Sequence, residues 1–133
     1  MNVNQYTISI SSQSQALKEF LDEEEIQHFF QSLQDHGNII ILLESMNYGI
    51  LTIGVGSPYG FVEFMNNDRN PPYLVATEKI TEKDDDGFIE FDSEGTLTPI
   101  PIDKCLPFDR VVEIVVFFIR QKKLLTTVQW VEV

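Results

Sequence analysis

The sequence is short of positive charge. Nine Lys and Arg stand against 21 Asp and Glu, a formal net charge of -12. Such a balance repels nucleic-acid phosphates and anionic lipid headgroups, so no direct binding to nucleic acid or to a membrane is expected. There is one cysteine, Cys105, which excludes an internal disulfide and suits a cytosolic protein. Long apolar runs are also missing. The longest, 111–119, is interrupted by Glu113 and falls well below the roughly 20 apolar residues that cross a bilayer. The first residues, MNVNQYTISISSQSQ, have no basic start followed by an apolar stretch, so nothing marks the chain for secretion and a cytoplasmic location is expected.

What remains is ordinary globular composition: 133 residues, 43% hydrophobic and 23% charged, the size of one domain spanning 1–133 that folds without disulfide or metal. Residues 6–11 (YTISIS) alternate like a half-buried strand, and 13–21 carry Leu17, Phe20 and Leu21 at the spacing of a short helical turn. Asp22 can cap a helix whose first turn holds Glu23, Glu24 and Glu25 and whose buried face is Ile26, Phe29, Phe30 and Leu33. Gly37 should end it, with His36 in the last turn. Residues 39–43 (IIILL) and 49–55 (GILTIGV) read as two paired central strands, followed by a turn-rich loop and a strand at 61–65. The pattern continues with an irregular 66–72, extended structure at 73–79, an acidic turn at 82–87 and a strand at 88–91. Prolines 99 and 101 suit an edge or a link. Pro107 opens a core helix over 108–121, and 126–133 alternates as a last strand. The expected architecture is α+β: a largely antiparallel sheet of about six strands with two main helices on one face.

Chemistry-bearing patterns are sparse. His28 and His36 lie about 12 Å apart along a helix axis, too far to ligate one metal. Reading Gly87 as the sixth position of an EF-hand loop places Glu82, Asp84 and Asp86 at ligand positions but puts Ser93 where a bidentate glutamate is required. Gly54, Gly56 and Gly60 sit one residue off a dinucleotide fingerprint and on strands, where a hairpin is the better reading. No catalytic residue, metal site or cofactor is therefore assigned. Glu63, Glu78, Glu90 and Asp92 lie on strands or strand ends, and two of them sharing a pocket would serve a small metal-assisted hydrolase. That alternative stays open, as does an adaptor or oligomerisation domain with a symmetric apolar patch.

Three segments carry a family likeness: YGILTIGVGSPYGFVEF at 48–64, the PPY link, and LPFDRVVEIVVFFIRQKKLLTTVQW at 106–130. In the last, a link with Pro107 enters a helix ending in Phe117 and Phe118, then a basic turn and a strand with Trp130. Together they resemble the Imm1 family of bacterial immunity proteins. Where members of that family often have a glycine and a proline in the final turn, this chain has 121–125 (QKKLL). The resemblance implies a non-enzymatic protein that binds and neutralises a cognate toxin domain, commonly a nuclease or deaminase. It carries over an architecture and a role but no site residues. An acidic surface suits a basic toxin, and the contacting groups are expected in one of two clusters. One is Glu82, Asp84, Asp85 and Asp86 with Glu94; the other is Asp22, Glu23, Glu24 and Glu25. Tyr59 and Trp130 are candidate aromatic anchors, with the core the better place for Trp130.

Overall fold

The computed structural model describes residues 4–9, 15–20, 22–35, 37–45, 47–78, 87–93 and 95–133, with side chains described from residue 22 onward. Their order is β1 (Asn4–Ser9), β2 (Gln15–Phe20), α1 (Glu23–Gln34), β3 (Ile39–Glu44), β4 (Ile50–Val55), β5 (Tyr59–Met65) and β6 (Leu74–Thr77). Then follow β7 (Phe88–Ser93), β8 (Thr96–Pro101), a 3-10 turn (Ile102–Lys104), β9 (Leu106–Pro107), α2 (Phe108–Gln121) and β10 (Gln129–Glu132). Among the described residues no helix is long and apolar enough to cross a membrane.

The α+β architecture is the one expected, but the sheet is larger than six strands. Its continuous order is β10-β6-β5-β4-β3-β1-β2, with β7 joined to β3, β8 to β7 and β9 to the start of β5. All pairings are antiparallel except the single β3–β7 bridge, Ile39 beside Asp92. One added strand is β2, where a helical turn was expected. Residues 15–20 instead pair along their whole length with β1, Asn4 opposite Phe20 through to Ser9 opposite Gln15. Backbone pairing over six residues outweighs a weak local helical spacing. Two more are β8, at the edge that its prolines suit, and the two-residue β9, which pairs with the start of β5.

Both helices cover one face. Ile26, Phe30 and Leu33 of α1 meet Val111, Val112, Ile114, Val115, Phe118 and Ile119 of α2 in a core that includes Ile41, Leu43, Leu51, Ile53 and Val62 from the sheet. Asp22 caps α1 as expected, accepting a bond from the Glu25 amide at 2.9 Å; the helix ends at Gln34, before Gly37. Pro107 offers α2 no side-chain cap, so the Phe108 amide finds the Pro58 carbonyl at 2.9 Å instead.

Alternate residues of the central strands point to the opposite face, and there the β7–β8 hairpin curls over. Phe61 of β5 and Phe91 of β7 meet edge to face, ring centroids 5.1 Å apart, with Cys105 beside them and Ile40, Ile89 and Ile100 around them. Asn38 fastens the hairpin. Its side-chain amide donates to the Glu90 carbonyl at 3.2 Å, and its own carbonyl accepts from the Asp92 amide at 2.9 Å.

Candidate partner-binding surface

The four carboxylates at the start of α1 are not equivalent. Asp22 is committed to the cap, and Glu23 accepts from Gln27 at 3.3 Å and from Arg120 at 3.4 Å. Both members of the Glu23–Arg120 pair are about half exposed, so solvent screens it and a partner can displace it readily. Glu24 is exposed and Glu25 half-buried. The other expected cluster, Glu82, Asp84, Asp85, Asp86 and Glu94, lies outside the described residues, as does His36.

The outward side of the β7–β8 hairpin is a second exposed surface. Because Phe91 points down onto Phe61, strand alternation turns Phe88, Glu90 and Asp92 away from the sheet. Register sets Pro101 opposite Phe88, Pro99 opposite Glu90 and Leu97 opposite Asp92. Phe88 is 62% exposed and Leu97 59%, the two most exposed large apolar side chains among the described residues. They stand at opposite ends of this face, about 13 Å apart along the strands, with Glu90 between them and Asp92 beside Leu97. No described ion pair involves Glu90 or Asp92. Arg69 pairs with Glu44, Arg120 with Glu23, and Arg110 with Glu78 and Glu113.

Beyond the hairpin, the face opposite the helices carries Glu63, aligned between Thr52 of β4 and Val75 of β6. Burial pushes the Glu63 carboxyl above the ordinary glutamate value of 4.5, and the nearby Lys104 ammonium draws part of that shift back. In the folded protein this acid keeps its proton to higher pH than in the unfolded chain. Ionised Glu63 therefore opposes folding, increasingly as pH rises from about 4.5 through its folded pKa. The Glu63→Gln variant should be more stable than the parent at pH 7, with the advantage fading at pH 4. Thermal midpoints between pH 4 and 8 check this; a variant less stable at neutral pH would mean that attraction to Lys104 outweighs burial.

The strand carboxylates do not converge. Glu63 lies on the face away from the helices, Glu78 reaches Arg110 of α2 at 2.7 Å, and Glu90 and Asp92 point outward from the hairpin. No group of three or more His, Cys, Asp or Glu side chains suited to a metal forms among the described residues. Cys105 is fully buried, its thiol directed at the Pro101 carbonyl at 3.5 Å. Trp130 packs on the main core and donates to the Leu125 carbonyl at 2.8 Å, while Tyr59 packs against the Phe61–Phe91 cluster. Neither is a free anchor.

The sequence reading located no anchor at Phe88 or Leu97. The available signal was the pair of prolines at 99 and 101, which marks β8 as an edge strand and hence the hairpin as a peripheral element. Charge alone directs attention to carboxylates, not to the apolar residues among them.

No curated protein matches this chain closely enough to be counted a relative. Residues 14–132, nearly the whole chain, match the family described as immunity protein Imm1. That match spans both helices, the central strands and the β7–β8 hairpin. The chain belongs to the Imm1 family of immunity proteins.

Proposed function

We propose that this protein acts in the cytoplasm as a stoichiometric inhibitor that binds a cognate bacterial toxin domain, a nuclease or deaminase, without catalysis of its own. Membership of the Imm1 family carries the reading. The net charge of -12 supports its electrostatic half, since toxins that handle nucleic acid present Lys and Arg to phosphate. Carboxylates can occupy the same cationic channel. The contacting groups form one of two clusters, Asp22, Glu23, Glu24 and Glu25 at the start of α1 or Glu82, Asp84, Asp85 and Asp86 with Glu94. The divergence of Glu63, Glu78, Glu90 and Asp92 weighs against the hydrolase alternative.

Growth rescue tests the reading. The C-terminal domain encoded by the neighbouring upstream gene is expressed with and without this protein, and surviving cells are counted. Toxicity abolished only on co-expression is the expected result. A toxic neighbour that goes unrescued would break the pairing. With the toxin in hand, reversing Asp84, Asp85 and Asp86 to lysine should slow association and flatten its fall with salt. Unchanged association rate and affinity would exclude that cluster.

A further inference from the structure

We infer that the outward face of the β7–β8 hairpin is a docking surface for the toxin domain, with Phe88 and Leu97 as its apolar anchors and Glu90 and Asp92 as charged groups that meet Lys or Arg. The inference rests on the proposed function and assigns it a location. Four observations carry it. The two most exposed large apolar side chains of the described residues share this one face. Soluble proteins do expose single apolar residues, but two on one small element, with Pro99 and Pro101 alongside, form a surface rather than a scatter. Next, the face is held from below. Phe91 is fully buried against Phe61, and Asn38 bonds the β7 backbone at both Glu90 and Asp92. A surface fixed in this way loses little conformational freedom on binding.

Charge selects the occupant. Glu90 and Asp92 form no ion pair among the described residues, whereas Arg69, Arg110 and Arg120 are each engaged elsewhere. Desolvating two carboxylates beneath a neutral partner would be unfavourable, but a basic surface supplies the counter-charges. A second copy of this strongly acidic chain would meet it with like charge. Finally, apolar anchors with charged groups beside them give the anatomy of a specific interface, in which the anchors supply affinity and the charges supply rate and selectivity.

The test uses the full chain and the purified toxin domain identified by growth rescue. The Phe88→Ala/Leu97→Ala double variant should keep its thermal midpoint within a degree or two, because both side chains face solvent, yet bind at least tenfold more weakly through faster dissociation. Glu90→Lys should also speed dissociation. Glu132→Lys, with the same change in net charge on the exposed strand β10, serves as its reference for long-range steering and should chiefly slow association. Normal affinity and normal growth rescue by the double variant would overturn the docking assignment while leaving the proposed function standing. Equal effects of Glu90→Lys and Glu132→Lys on both rates would likewise overturn it, because the hairpin would then act only through overall charge. Failure of the parent protein to bind or rescue against the toxin would overturn the proposed function, and the inference with it. A concentration-dependent dimer dissolved by the double variant would assign the face to self-association instead.

Discussion

Replacing Phe91 with alanine should destabilise the protein by about 3–5 kcal/mol, the usual range for emptying a phenylalanine site in a closed core. The ring is fully buried and lies edge to face on Phe61 at 5.1 Å and 82°. Its neighbours cannot easily collapse into the space. Phe61 belongs to a central strand, Cys105 is fixed between the 3-10 turn and β9, and Ile40 is on β3. In urea the midpoint should fall by roughly 2 M, taking a slope near 2 kcal/mol per M. Phe88→Ala, three residues earlier on the same strand, should change stability by no more than about 0.5 kcal/mol. That contrast is the sharper test. Similar midpoints for the two variants would mean that the hairpin is not seated on the sheet through Phe91.

Gly60→Ala should be nearly as damaging for a different reason. A Cβ at this position would stand 2.1 Å from the Gly54 carbonyl oxygen and 3.2 Å from a methyl of Val111. The first is backbone of β4 and the second lies on α2, so neither can swing aside as a flexible side chain would. Either β4 and β5 separate or the helix lifts from the sheet, at the upper end of the roughly 1–3 kcal/mol typical of overpacking, or beyond it. Gly37→Ala provides the comparison. That residue has φ of +89° and no atom within 4 Å of an added Cβ, so only backbone strain of about 1–2 kcal/mol applies. Thermal melts of the two variants should rank Gly60→Ala as the less stable; the reverse order would show that α2 yields at little cost.

These two positions also show where sequence reasoning reaches and where it stops. The cap at Asp22, the helix over 108–121 and the central pair of strands are legible because each depends on local chemistry: a capping carboxylate, a proline at a helix start, a run of branched apolar residues. The core position of Trp130 follows from alternation in the last strand. By contrast, Phe88 and Phe91 are an odd number of residues apart and must lie on opposite faces of one strand. Which of them is buried depends on Phe61, thirty residues away in the chain, and on the hairpin curling over it. Residues 15–20 pose the same difficulty, because a helical spacing is satisfied locally while the pairing with β1 is not visible in the segment itself. The candidate surface was legible in sign but not in place. A deficit of Lys and Arg predicts a basic partner, yet only the hairpin register brings Leu97 and Asp92 side by side.

The same hairpin governs how the protein behaves in crowded solution. Ser93 and Thr96 face each other across its turn, so the hydrogen-bonded rungs fall at Ser93–Thr96, Phe91–Thr98 and Ile89–Ile100. The amides of 97, 99 and 101 are then the ones directed away from β7, and at two of those three places the residue is proline. Leu97 alone offers an outward N–H. An apolar strand at a sheet margin ordinarily templates the addition of further chains, the route by which such proteins stack into fibrils. Here two of the three outward rungs carry no donor, so the molecule can keep Phe88 and Leu97 in water without recruiting copies of itself.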